Sequence, residues 1–244
     1  MNKQEQGKIE YSGLKEKAEI SIEKTKELIL ENIPNEEIIS IYVKGSYVHD
    51  ELQPDSDVDI VVILKTDKYL PDLYKLTVDF GDSVSPPFQA IAYTLDELQT
   101  GKWSLNRPKN ATPIASFTKH MDQLPLLYGS KPEGKLFTKT DEKLLKTSIA
   151  NFRKIYLPEF NGGTFKFKNL IKQVIWLVEK EQRALGFIPD YHWQKLADSI
   201  EDKNHIAHDA LRLRRQIDIS KEEQDDFLLK LNDYLNFLED KYKK

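Results

Sequence analysis

The sequence predicts an α+β protein, with strands and helices in its first half and helices alone in its second. Strand-like runs of β-branched and aromatic residues end with the segment FQAIAYT, and helical periodicity takes over from about Thr138. The change of texture falls at GSKPEGKLFT, a polar segment containing Gly and Pro. We therefore expect two domains, over residues 1–130 and 131–244, the second an all-helical bundle.

The first half is predicted to run helix, strand, turn, strand, strand. Residues 14–33 place apolar side chains at helical spacing, and the helix should end before Pro34. Ile38 to Val43 form a strand that leads into Gly45-Ser46, and DVDIVVILK forms a second strand, almost wholly apolar after two acids. A third strand covers Phe88 to Thr94, and LDELQTG follows as a short helix or turn.

The second half is predicted to contain four or five helices. TDEKLLKTSIANFRKIYL opens with a Thr and acids that suit a helix N-terminus, and Pro158 should end it. A long helix, FKNLIKQVIWLVEKEQRALG, closes at Gly186. Two shorter helices precede a last one, EEQDDFLLKLNDYLNFLEDKYKK, which carries its leucines along one face.

Composition excludes several classes of protein. The 244 residues are 39% hydrophobic and 31% charged, as in globular proteins, and the net charge of -4 argues against binding along a nucleic-acid backbone. The chain has no cysteine, and so no disulfide or thiol nucleophile. No apolar run has the length of a signal peptide or a membrane span, so we expect a cytoplasmic protein without a membrane partner.

Two acids at the start of the second strand carry the chemistry. Asp57 and Asp59 are separated by one residue, and in a strand such residues project from the same face. Two crowded carboxylates repel unless a cation lies between them, and Mg²⁺ commonly takes one or two carboxylates together with water and phosphate oxygens. We predict that Asp57 and Asp59 bind Mg²⁺.

The Gly45-Ser46 turn is the matching candidate for binding phosphate. Gly45 would let the backbone approach a phosphate closely, and Ser46 would offer a hydroxyl and an N–H near a helix N-terminus. Lys44 beside it is either a further phosphate contact or a solvated lysine at a strand end. The turn and the acid pair would thus form one site.

The segment GSYVHDELQPDSDVDIVV resembles the signature of the polymerase-β-like nucleotidyltransferase superfamily, and is most like that of aminoglycoside adenylyltransferases and related small bacterial nucleotidyltransferases. The resemblance implies a mixed-sheet nucleotidyltransferase domain followed by a C-terminal helical domain, with a cleft for the acceptor. It also implies Mg²⁺-dependent transfer of a nucleotidyl group, such as adenylyl, from ATP or another nucleoside triphosphate. The acceptor would be a hydroxyl or phosphate, either of an aminoglycoside-like small molecule or of RNA, and pyrophosphate would be released.

The sequence departs from the family at a third carboxylate, which the next strand usually supplies. The matching position in FQAIAYTLDEL is Gln89, and an amide can bind a metal through oxygen but cannot take a proton from a hydroxyl near neutral pH. Three interpretations are open. Gln89 is tolerated, with substrate, Asp79 or Asp82 filling the role; or another residue is the true match; or the protein binds nucleotide without efficient transfer, as a sensor or a toxin-antitoxin-type protein.

Several other residues have two interpretations each. By analogy with the helical domain of the adenylyltransferases, Lys168 and Lys172 are candidates to bind the nucleotide phosphates, although lysines exposed to solvent would look the same. His49 and Asp50 are expected on the surface of a helix. His205 and His208 lack a third ligand at metal-site spacing and are expected to mark a helix start.

Overall fold

The computed structural model describes residues 3–104 and 112–243, with side chains from residue 12 onward. The chain forms two compact units, Met1–Thr138 and Lys139–Lys244, whereas the sequence predicts the division at residue 130. In the described part of the chain, no helix is both long enough and apolar enough to span a bilayer.

The first unit is built on a four-stranded mixed sheet, in the order β3-β2-β1-β4. Its strands are β1 (Ile38–Lys44), β2 (Val58–Leu64), β3 (Phe88–Thr94) and β4 (Leu126–Gly129). β1 pairs antiparallel with β2 and with β4, while β2 and β3 are parallel. The predicted α+β class and mixed sheet are confirmed. β4 was not predicted because this four-residue edge strand contains no fully buried side chain and has no clear alternation.

One face of the sheet is covered by α1 (Lys3–Asn32) and α2 (Leu70–Phe80). The core there combines apolar side chains of both helices with alternate residues of the strands, among them Val58, Ile60, Phe88 and Ala90. α2 was not predicted. Parallel strands need a crossover connection, and α2 supplies it between β2 and β3, burying Leu70, Leu73 and Leu76 at helical spacing.

The opposite face carries two short helices, α3 (Leu95–Thr100) and α4 (Ile114–His120). The short helix expected after β3 is confirmed as α3, which starts with a capping box between Thr94 and Glu97. Tyr93 of β3 stacks on Phe117 of α4, with ring centroids 4.4 Å apart. At the end of the sheet where β1 finishes and β2 and β3 begin, the side chains of Lys44, Asp59 and Gln89 are half-buried or exposed.

The second unit is helical in all its described elements, which confirms the predicted helical domain. These are α5 (Asp141–Asn151), a π-helical turn (Phe152–Tyr156), α6 (Leu157–Asn161), α7 (Phe167–Ala184), α8 (Trp193–Asp198), α9 (Ile206–Arg215) and α10 (Lys221–Lys241). α7 supplies the largest share of the buried core.

Pro158 does not end the first helix of this unit, so that prediction was wrong. The chain continues from α5 through the π-helical turn into α6, where Pro158 lies in the first turn. Pro158 has no N–H to donate to the preceding turn, and it lies just after the π-helical turn, where the regular hydrogen-bond pattern of the α-helix is already interrupted.

Candidate functional site

The site begins where β1 ends in a tight bend. Gly45 has φ +77, in the left-handed region that favours glycine, and it opens a three-residue 3₁₀ turn, Gly45–Tyr47. The backbone N–H groups of Val48 and His49 both donate to the Gly45 carbonyl at 3.1 Å, and no longer helix follows. The helix N-terminus that we expected behind Ser46 is therefore absent from this turn. Ser46 itself is buried, at 8% exposure.

Gly45 lies directly against the carboxylate of Asp59. A Cβ at position 45 would stand 2.0 Å from Asp59 Oδ2 and 3.1 Å from Asp59 Cβ. Since real Cβ atoms do not approach other atoms below 3.0 Å, no side chain fits at position 45 without displacing Asp59. Residues 47–56 thus fold so that the Gly45 bend and Asp59 lie together, as the motif predicted.

The two aspartates lie on the side of β2 that faces away from α1 and α2. Val58 and Ile60 have no exposed surface and belong to the core, while the alternate residues Asp57 and Asp59 are half-buried. Asp57 lies one residue before β2, and Asp59 is its second residue. Among the residues that the structure describes, none makes a hydrogen bond or an ion pair with the Asp59 carboxylate.

Three residues form a row across the sheet at this end, which we call the site row: Lys44, Asp59 and Gln89. Asp59 is in register with Lys44 on β1 and with Gln89 on β3. Side chains in register on neighbouring strands project from the same face, and the strands are about 4.8 Å apart. Gln89 is therefore the residue that β3 presents beside Asp59, and its side chain is exposed.

Neither of the alternative acids lies on this face. Asp79 and Asp82 are exposed near the end of α2, which packs on the opposite side of the sheet. In the described ranges no group of three or more His, Cys, Asp or Glu side chains could hold a metal. The donors at the site are thus two carboxylates and one amide oxygen. They fit Mg²⁺, which commonly uses one or two carboxylates and completes its shell with water and phosphate.

Lys44 has a partner that the sequence could not indicate. Its Nζ lies 3.3 Å from the hydroxyl of Thr112, which is 68 residues away along the chain. The backbone carbonyl of Thr112 also accepts a hydrogen bond of 2.8 Å from the hydroxyl of Tyr93. Thr112 thereby connects the end of β1 to β3 on the face of the site row.

Lys168 and Lys172 lie one helical turn apart on α7, in the second unit, and both are half-buried. Their proposed contact with phosphate stays a prediction.

His205, expected at a helix start, is the N-cap of α9, where its Nδ1 accepts from the N–H of Ala207 at 3.2 Å. His49 is buried, at 1% exposure, so its predicted surface position was wrong. The chain after Gly45 folds into turns and carries His49 inward.

A family model confirms what this geometry indicates. Residues 22–107 match the nucleotidyltransferase domain, a stretch that includes the Gly45 bend, both aspartates and Gln89. Residues 22–107 thus form a nucleotidyltransferase domain, and the recognition made from the motif is confirmed.

Among solved structures, the whole chain resembles the spectinomycin adenyltransferase AAD(9) from Enterococcus faecialis, whose crystal structure contains ATP and spectinomycin. The two chains are 16% identical, the match covers 91% of this chain and 98% of that one, and the TM-score is 0.53. At this identity the likeness shows a shared fold. A comparison with curated protein sequences gave no significant match.

Proposed function

We propose that the protein transfers a nucleotidyl group, most directly adenylyl, from a Mg²⁺-bound nucleoside triphosphate to a hydroxyl group of a small molecule. The observation that carries this proposal is the Asp59 carboxylate, which lies against Gly45 and has no protein partner among the described residues. The shared fold of an adenyltransferase that was solved with ATP and spectinomycin supports ATP as donor and a small hydroxylated acceptor.

In this proposal Asp57 and Asp59 hold Mg²⁺, and the Gln89 amide oxygen is available as a further ligand. A divalent ion held by these residues would supply positive charge against the triphosphate. Gly45 leaves room for the Asp59 carboxylate, and Ser46 offers its hydroxyl and N–H to a phosphate. Lys44 supplies an ammonium on the same face, and Lys168 and Lys172 remain candidate phosphate ligands.

The transfer forms one bond and breaks another. The acceptor oxygen attacks the α-phosphorus, the bond from this phosphorus to the α–β bridging oxygen breaks, and pyrophosphate leaves with the electron pair. The amide of Gln89 can accept a hydrogen bond from the acceptor hydroxyl and orient it, but it cannot take the proton. The proton therefore passes to a phosphate oxygen or to water. Positioning of the reactants supplies most of the acceleration.

Pyrophosphate release tests the proposal. The purified protein is incubated with each nucleoside triphosphate, Mg²⁺ and a set of hydroxylated acceptors that includes aminocyclitols, sugars and a short RNA. Asp57→Asn and Asp59→Asn keep the side-chain shape but remove the charge, and we expect each to lower the rate by about a thousandfold or more. Asp55→Asn is the matched control, because Asp55 is exposed in the preceding turn. Full activity of the Asp59→Asn variant would exclude the proposed site.

A second candidate function is nucleotide binding without transfer, and the neutral side chain of Gln89 favours it. Saturable binding of a nucleoside triphosphate, with no pyrophosphate released to any acceptor, would support this candidate. The Gln89→Glu variant adds a second measurement. Faster release in that variant would indicate a site that has lost its third carboxylate, whereas slower release would show that the amide is suited to its acceptor.

A further inference from the structure

Lys44 and Asp59 face each other across two antiparallel strands but do not form an ion pair. They are register partners, a placement in which side chains lie about 5 Å apart at Cβ and opposite charges normally meet. In the described part of the chain Lys44 has no ion pair, and its one hydrogen bond goes to Thr112, at 3.3 Å. The ammonium is thus held near the carboxylate without neutralising it.

The charges along the site row are unsuited to two divalent cations. Two such ions bound about 3.5–4 Å apart repel each other strongly, and carboxylates shared between them offset this repulsion. Here Gln89, on one side of Asp59, is neutral, and Lys44, on the other side, is itself a cation. Only Asp57 and Asp59 bring negative charge, and no third acid joins them within the described residues.

We propose that the site binds a single divalent cation together with the nucleotide, and that the Lys44 ammonium provides the second positive charge on the triphosphate. The ammonium would exchange the Thr112 hydroxyl for a phosphate oxygen, which is the stronger acceptor because it is charged. This inference rests on the proposed function, since it concerns how the same site holds its nucleotide. It assigns to Lys44 a role that a solvated lysine at a strand end would not have.

The number of bound ions tests the first half of the inference. Mn²⁺ is titrated into the full chain in the presence of α,β-methylene-ATP, whose α–β bridge cannot be cleaved, and free Mn²⁺ is followed by its electron paramagnetic resonance signal. We expect one Mn²⁺ per chain for the natural sequence and two for Gln89→Glu, which restores a third carboxylate. Two ions bound to the natural sequence would overturn the inference.

The role of Lys44 is tested by nucleotide affinity, measured by calorimetry under the same conditions. Lys44→Met should weaken binding of the analogue by about tenfold to a hundredfold, as expected for the loss of a hydrogen bond between charged groups. Lys44→Arg keeps the charge and should retain most of the affinity. Lys65→Met is the matched control, because Lys65 is exposed just beyond the other end of β2. Affinity of Lys44→Met within about twofold of the natural sequence would refute the role of Lys44.

These results are separable from the test of transfer. Two ions bound by a protein that releases pyrophosphate would leave the proposed function standing and remove this inference. One ion bound by a protein that releases no pyrophosphate would remove the proposed function and leave the single-ion inference standing. Thermal melting of each variant shows whether a loss of affinity reflects unfolding instead.

Discussion

Substituting Gly45 by alanine should destabilise the first unit and disable its site, because Gly45 and the Asp59 carboxylate occupy adjoining space. The added Cβ would lie 2.0 Å from Asp59 Oδ2, 2.9 Å from Asp59 Cγ and 3.1 Å from Asp59 Cβ. Rotation of the carboxylate cannot relieve all three contacts, since Asp59 Cβ is fixed to the backbone of β2. The variant must therefore displace either the bend or the strand.

The expected cost has two parts. Alanine at φ +77 is strained by about 1–2 kcal/mol, and overpacking against a fixed neighbour adds about 1–3 kcal/mol. Together these lower the free energy of unfolding of the unit by about 2–5 kcal/mol, which corresponds to a fall in its melting temperature of about 8–20 °C. We also expect binding of Mn²⁺ with α,β-methylene-ATP to be lost, because Asp59 no longer holds its position.

Two further variants separate strain from contact. Gly134 also has a left-handed φ, of +90, but the nearest atom to an added Cβ is Gln99 Nε2 at 3.0 Å, the end of a flexible side chain. Gly134→Ala should therefore cost only the strain. Adding Asp59→Ala to Gly45→Ala removes the carboxylate and should restore about 1 kcal/mol or more. Scanning calorimetry of the full chain follows all three. The close contact of Gly45 with Asp59 would be refuted if Gly45→Ala and Gly134→Ala lost equal stability and the double variant regained none.

Two further predictions concern the second unit. Arg153 binds both carboxylate oxygens of Glu239 on α10, at 2.9 and 3.1 Å. Because both side chains are partly exposed, Arg153→Ala should lower the free energy of unfolding by only about 1 kcal/mol. Urea titration measures this loss. Burial raises the pKa of Glu181, but hydrogen bonds from His205 and Tyr234 outweigh burial and leave this pKa below its usual value of 4.5. The stability that Glu181 contributes is therefore complete above about pH 4.5 and is lost as the pH falls through the lower folded pKa. Tyr234→Phe removes a 2.6 Å hydrogen bond to Glu181, so it should lower the free energy of unfolding by about 1–3 kcal/mol at neutral pH. The free energy of unfolding should also fall less steeply with decreasing pH in this variant. An unchanged dependence on pH in the acid range would contradict this account.

The parts of the site that could be predicted from sequence are those that depend on local geometry. Strand alternation is enough to place Asp57 and Asp59 on one face, and a glycine at the end of an apolar strand is enough to predict a bend. Gln89 could be recognised as the third position from the motif order alone. Its register with Asp59 depends on the crossover helix α2, which the sequence does not indicate because its leucines lie in a segment rich in polar and aromatic residues.

The parts that could not be predicted depend on contacts between distant segments. Thr112 meets Lys44 only because β1 and β3 lie in one sheet, and nothing near either residue indicates the other. The burial of His49 likewise depends on the turns after Gly45, which have no helical or strand periodicity. Propensity and spacing describe single elements, whereas these features arise when elements pack.

The position of Asp59 supports the proposal that the site binds a cation, because the carboxylate is held there at some cost to the protein. Asp59 is half-buried and has no partner among the described residues, which makes it less stable than a carboxylate with a hydrogen bond. Lys44 is directly opposite in register and could have paired with it. The lysine binds Thr112 instead, and the carboxylate lies against the bare Cα of Gly45. Opposite charges on neighbouring strands that do not pair are favourable only when each charge binds another partner. The proposed divalent cation at Asp59 and the proposed phosphate at Lys44 are partners whose charges match.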